Sequence, residues 1–227
     1  IYLLVIVRTI IMASVTTVLC LLIGYPVAYW IAFYGRRWKD LLLFFLFVPF
    51  WTNFLLHIYA WMFVLDYGGV INCLLLKLGI ISEPLHLLHS FFSMGLIMVY
   101  CYLPFMILPI YTALEKFDRN LFQASLDLGA TWWQTMRLIV FPISWPAIRS
   151  GIFLVFVPAF GEFAIPDLVV GDKLAFVGSI VAHYTLSAQM VPLGSAFTLI
   201  ASLSLILFIG IMACLKYVLF SRDCYGK

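Results

Sequence analysis

Charge is what this sequence has least of: Asp, Glu, Lys and Arg make up 10% of its 227 residues. A soluble domain carries roughly a quarter, so an ordinary water-facing surface is excluded. The net charge of +3 is too small and too dispersed for a nucleic-acid footprint. The five cysteines include no CxxC pair, and most stand in apolar runs, where Cys acts as a small hydrophobe. They give no redox compartment. No GxxxxGK[ST] phosphate loop is present, so nothing marks the chain itself as a nucleotide hydrolase. Neither Met nor a charged segment precedes the first apolar run, which opens at Ile1, and the chain reads as a fragment.

Apolar and aromatic residues account for 65% of the chain, and the mean hydropathy is +1.12. Apolar stretches long enough to cross a hydrocarbon core of about 30 Å as helices lie between the charge clusters. Five spans follow, at about 2–33, 41–65, 90–113, 147–165 and 193–218. Pro26, Pro49, Pro104, Pro109 and Pro158 fall inside them, so kinked helices are expected. The fold class is all-α transmembrane, a polytopic bundle of kinked helices forming one domain over 1–227. In the first span Gly24, Ala28 and Ala32 recur every four residues, a stripe on which another helix can pack closely.

Orientation follows from the cations. Arg36, Arg37 and Lys39 follow span one; Lys116, Arg119, Arg137 and Arg149 flank the stretch before span four; Lys216, Arg222 and Lys227 end the chain. Only Arg8, Lys77 and Lys173 fall on the other side, so the first ten belong to the cytoplasm, with the C-terminus. Five spans then leave Ile1 outside, and the intact protein is expected to have an earlier, sixth span. Of the two external connections, 66–89 carries turn signals at Gly68-Gly69 and Glu83-Pro84. In 166–192 the segment Leu174–Met190 fits an interfacial or re-entrant helix better than another span.

The cytoplasmic stretch 115–145 is too polar to span. It predicts two short helices, one over Asn120–Leu128 stopped by Gly129 and one opening at Thr131 with Gln134 as a capping box. The second is expected to end before Pro142, with Trp132, Met136 and Ile139 forming an exposed apolar ridge. Such a pair suits either a cytoplasmic partner or the lipid headgroups.

Its residues resemble the cytoplasmic loop of the membrane subunits of binding-protein-dependent ABC importers, E-A-A-x3-G-x9-I-x-L-P. Ala124, Gly129, Ile139 and Pro142 match at the same spacing, whereas Gln123, Ser125 and Phe141 depart from it. The resemblance implies that this loop, with Gln123, Ala124, Ser125, Asp127, Gly129, Ile139 and Pro142, docks on an ATPase subunit and passes its closure to the bundle. Gln123 lacks the carboxylate that the family's Glu would bring. Gly24-Tyr25-Pro26-Val27-Ala28-Tyr29, Val48–Asn53 and Pro158–Asp167 look like segments of spermidine/putrescine importer permeases, nearest to the first of the two such importers use. Related permeases for amino acids, oxyanions or iron share part of the pattern. A secondary transporter or channel working alone would leave the 115–145 loop without a purpose.

The resemblance further implies an inner-membrane, multi-pass subunit that works with a second homologous permease, two ATPase subunits and an extracytoplasmic binding protein. ATP and Mg²⁺ would belong to the ATPase, leaving no cofactor in this chain, which is expected not to be an enzyme. For a cationic cargo the candidate path residues are Glu162 and Asp167 as ammonium acceptors, with Trp51, Tyr100 and Tyr102 as cation–π faces. Glu162 could instead pair with a cation such as Arg149, and the aromatics could be interfacial anchors. Asp66, Glu83 and Asp172 read as external loop residues or as contacts for a soluble binding protein. His86 and His89 lack a convincing metal-ligand set, and His57 and His183 read as satisfied helix histidines.

Overall fold

A computed structural model describes residues 2–171 and 174–224, with side chains for all of these except 36 and 212–224. Asp172 and Lys173, the ends of the chain, and the side chains of Lys216 and Arg222 therefore lie outside the described residues. Among the described residues every regular element is helical. In chain order they are α1 (Tyr2–Tyr34), α2 (Lys39–Phe47), α3 (Phe54–Leu65), α4 (Val70–Lys77), α5 (Phe91–Glu115) and α6 (Arg119–Asp127). Next come α7 (Trp132–Thr135), α8 (Phe141–Gly161), α9 (Ala164–Val169), α10 (Val177–Ala182) and α11 (Val191–Cys224). Five stretches are long and apolar enough to cross a membrane: Tyr2–Tyr34, Phe54–Lys77, Phe91–Glu115, Trp132–Gly161 and Val191–Ile211. Large apolar side chains point outward on them, Leu3, Leu22, Phe63 and Leu203 among the most exposed, the inverse of a soluble protein.

The centre is built by α1, α5 and α8, which pack on one another. Between membrane helices there is little hydrophobic driving force, so close packing decides which faces meet. The small-residue stripe does this on α1: Gly24, Ala28 and Ala32 are all buried. Gly24 faces Met106 and Ile107 of α5, and a Cβ there would lie 3.1 Å from Met106 Cγ. Gly151 of α8 closes on the same side chain from the other side, where a Cβ would lie 2.8 Å from Met106 Sδ. Met106, fully buried, is thus the wedge among three helices.

Two spans differ from the sequence expectation. The second is not one helix over 41–65. Pro49 has no N–H to donate, so α2 ends at Phe47, a tight 3₁₀ turn covers Val48–Trp51, and the Asn53 side chain restarts α3 by accepting from Leu55 N at 2.9 Å. The fourth span begins earlier than 147 and stops at Gly161 rather than 165. The second loop helix does not end before Pro142 either: α7 runs through a π turn, Met136–Val140, directly into α8. The wider turn precedes a proline whose ring would press on the carbonyl four residues back in a regular helix.

External connection 66–89 is organised by Asn72, which is buried. Its amide donates to the carbonyls of Asp66, Tyr67 and Leu85 (3.2, 3.2 and 2.9 Å), and its carbonyl accepts from Leu85 N (3.0 Å). The two histidines of this connection are engaged separately. His86 stacks on Tyr67, and His89, in the left-handed region at φ 60, bonds the Val169 carbonyl through Nδ1 at 2.8 Å. Within 174–190 the helical elements are α10 and a π turn over His183–Ser187.

Candidate functional site

The break expected around Glu162 is present. Glu162 has extended backbone, ψ 130, between α8 and α9, and its side chain takes up amides at the start of the new helix. Oε1 accepts from Ala164 N at 2.9 Å and Ile165 N at 3.4 Å, while Oε2 accepts from the Tyr102 hydroxyl at 2.6 Å. Tyr102 is buried on α5 and Glu162 half-buried, so a carboxylate sits at a helix break inside the bundle. Among the described residues no Lys or Arg pairs with it, and the structural pairing with Arg149 is not formed.

The remaining path residues are only partly gathered. Tyr100, two residues before Tyr102 on α5 and so directed to another face, bonds His57 Nδ1 at 3.2 Å and meets Trp61 edge-on. His57 Nε2 in turn reaches the Pro49 carbonyl at 2.8 Å and the Thr52 hydroxyl, so this histidine is satisfied as expected and fastens the break of the second span to α5. Trp51 is 77% exposed and packs edge-on against Phe44, away from the carboxylate. Asp167 is exposed on α9. The structure thus brings Tyr102 and Glu162 together, ties Tyr100 to His57, and leaves Trp51 and Asp167 apart from them.

Two residues outside the expected path set join this site. Phe50 lies edge-on to Phe105 at 5.1 Å, and Phe105 lies 6.4 Å from Tyr102, so an aromatic row leads from the second-span break to Glu162. A cavity of about 250 Å³ opens beside it, bounded by Pro49, Phe50, His57, Tyr100 and Pro104. The only sequence signal for these positions was their place near prolines, where backbone irregularity lines cavities.

The 115–145 segment forms at the end of the bundle where Lys39 bonds Glu115 at 2.6 Å and Arg119 bonds the Ala32 carbonyl at 2.8 Å. The hydrogen bond to Glu115 raises the Lys39 pKa above its ordinary value. Asp118 caps α6, Gly129 closes it at φ 86, and the Thr131–Gln134 capping box is formed on both sides. Ser125, one of the departures from the family pattern, is buried and bonds the Thr135 hydroxyl at 2.7 Å, joining α6 to α7. Gln123, Ala124, Asp127, Gly129 and Pro142 are exposed and Ile139 half-buried. The exposed ridge is formed only in part: Trp132 is exposed and stands edge-on to Tyr29 of α1, whereas Met136 and Ile139 pack against the core. The π turn carries Met136 and Ile139 inward, and the exposed apolar residues of the segment are Leu128, Trp132, Trp133 and Leu138.

Comparison with known proteins agrees with this architecture. Residues 21–222 match the family described as binding-protein-dependent transport system inner membrane component. The chain is 39% identical over 188 residues to the spermidine/putrescine transport system permease protein PotB of Haemophilus influenzae, covering 83% of this chain and 66% of that protein. With PotB of Escherichia coli K12 it shares 38% over 201 residues, covering 88% and 72%. With the inner membrane ABC transporter permease protein YdcU of the same organism it shares 32% over 222 residues, covering 91% and 69%. The chain therefore spans only 66% to 72% of these relatives' lengths. Among solved structures, a bacterial ABC transporter that imports the acidic polysaccharide alginate superposes with TM-score 0.66 at 18% identity, over 91% of this chain and 78% of that one. A complex of a bacterial alginate ABC transporter with a pentasaccharide-bound periplasmic protein gives 0.65 at 18%, over 88% and 74%. At that identity the likeness is one of fold. The chain belongs to the family of inner membrane components of binding-protein-dependent transport systems.

Proposed function

We propose that this chain is a permease subunit of an ATP-driven importer that moves polyamines, spermidine and putrescine, into the cytoplasm by alternating access. The observation that carries the cargo is Glu162, a carboxylate held at a helix break within an apolar bundle beside a row of aromatic rings. Buried ionisable groups in membrane helices are costly and serve a path or a partner. A carboxylate that pairs with no Lys or Arg among the described residues has the sign an ammonium needs, and aromatic faces attract the same charge. The relatives named as spermidine/putrescine permeases support the same cargo.

The working complex holds a second homologous permease, two ATPase subunits and an extracytoplasmic binding protein. ATP and Mg²⁺ belong to the ATPase pair, and this chain performs no catalysis. The 115–145 segment faces the cytoplasm with the C-terminus, a placement supported by the cations gathered near Glu115. Gln123, Ala124, Asp127 and Gly129 present its docking face, while Ser125, Ile139 and Pro142 shape the segment. Because α7 continues into α8 without a loop, movement of the docked segment passes directly to the helix that ends at Glu162. Asp167, Trp51, Tyr100 and Tyr102 complete the path assignment.

The test is labelled spermidine uptake in cells lacking this permease, complemented with the full-length protein or with Glu162→Gln. Uptake by wild type and loss in the variant, at equal membrane levels and assembly, supports the reading. Assembly with the ATPase but no uptake by wild type removes polyamines as cargo.

A further inference from the structure

Glu162 is held by more of the fold than its own break, and what holds it implicates a residue with no chemistry of its own. We propose that Gly178 is the positioning residue of the Glu162 carboxylate, and that α10 sets where that carboxylate stands; this rests on the polyamine-path reading of Glu162.

Gly178 is buried in α10 and lies directly on the break. A Cβ built on it would stand 2.5 Å from the Glu162 carbonyl oxygen, 2.7 Å from its carbonyl carbon and 2.7 Å from the Gly161 carbonyl oxygen. These are backbone atoms, so no rotamer change relieves the contact. Gly178 adopts ordinary helical backbone, so the requirement is for space rather than for conformational freedom. Only glycine lets the first turn of α10 rest on the exposed peptide where α8 ends.

That turn is anchored from the other side. Val177 N donates to the Thr9 hydroxyl of α1 at 3.1 Å in a buried site, and the same hydroxyl donates to the Val5 carbonyl at 2.9 Å. Thr9 therefore fixes α10, Gly178 seats it on the Glu162 backbone, and Tyr102 meets the carboxylate from α5. The carboxylate's two oxygens are committed to Tyr102 and to the first amides of α9, so its place follows from that of the break. Raising α10 by the width of one methyl group shifts the peptide of Glu162 and draws the carboxylate off Tyr102. Misplacing a positioned group by about 1 Å costs on the order of a hundredfold in the step it serves.

The test uses the complete importer in proteoliposomes with saturating spermidine-loaded binding protein, and reads spermidine imported per ATP hydrolysed. Gly178→Ala inserts the clashing methyl group. Thr9→Val removes the acceptor of Val177 N without adding bulk, and Thr9→Ser keeps it. The expected result is a loss of about tenfold or more in import per ATP for Gly178→Ala and Thr9→Val, with Thr9→Ser close to wild type. Thr9→Val also keeps the question open to measurement where Gly178→Ala fails to assemble. Import and hydrolysis falling in equal proportion in both variants, or neither falling, overturns the proposal, since a merely structural contact lowers the amount of active complex and not its coupling. A wild-type importer that hydrolyses ATP but moves no spermidine refutes the cargo reading instead, and the proposal with it.

Discussion

The Met106 wedge gives a stability prediction whose sign depends on the structure. Met106→Ala empties the space between α1 and α8, and a buried Met→Ala change costs about 2–5 kcal/mol. The lower part of that range applies here, because lipid is as apolar as the core and the loss is chiefly one of contacts. Gly151→Ala alone drives a methyl group to 2.8 Å from Met106 Sδ. Overpacking of that kind costs about 1–3 kcal/mol, against which alanine's better helix propensity returns about 1 kcal/mol. With Met106→Ala in place the clash is gone and the new methyl group partly fills the void, with Pro109 Cγ at 3.3 Å as the remaining close neighbour. The double variant should therefore be more stable than Met106→Ala alone, with a coupling energy of about 2 kcal/mol. For a chain of this size that corresponds to about 4–8 °C in Tm, read by thermal unfolding of the purified importer in detergent. Additivity within about 0.5 kcal/mol would refute the wedge.

Other consequences concern the loops and the site. Asn72→Ala removes four hydrogen bonds at once and should destabilise the 66–89 connection by about 2–4 kcal/mol; faster amide exchange at Leu85 is the readout, and unchanged exchange contradicts it. Ser125→Ala leaves the buried Thr135 hydroxyl with only the Thr131 carbonyl and should cost about 1 kcal/mol, whereas combining it with Thr135→Val should cost less than the sum, as a double-mutant cycle on Tm will show. Glu115→Gln should bring the Lys39 pKa back down, measured by NMR of labelled lysine. Because that pKa is raised by folding, its stabilisation is full below the unfolded-state value and disappears as pH rises through the folded one.

Much of the architecture was legible in the sequence because a bilayer constrains it so heavily. Long apolar runs with few charges can only be spans, and a capping box such as Thr131–Gln134 or a stop such as Gly129 acts within a few residues of chain. The stripe of Gly24, Ala28 and Ala32 was readable for the same reason, since helical spacing alone puts small residues on one face. The errors arose where the backbone leaves the regular α-helical register. The π turn at Met136–Val140 turns Met136 and Ile139 from an expected exposed ridge onto the core, leaving Trp132 exposed before it, and no periodicity argument carries across such a turn. The second span reads as whole because its apolar composition continues through Pro49, although its hydrogen bonding does not.

At the site, the sequence by itself determined that a carboxylate stands among prolines and glycines near the end of a span, which is a matter of chain-local chemistry. Only the tertiary structure decided which groups meet it. Tyr102 is separated from Glu162 by 60 residues and Thr9 from Val177 by 168, and their contacts follow from how α1, α5 and α8 cross. Residue type alone marks Trp51 and Tyr100 as aromatic faces, and packing separates them, turning Trp51 outward and giving Tyr100 to His57. Gly178 was invisible for the plainest physical reason: a missing side chain has meaning only beside the backbone that would collide with it.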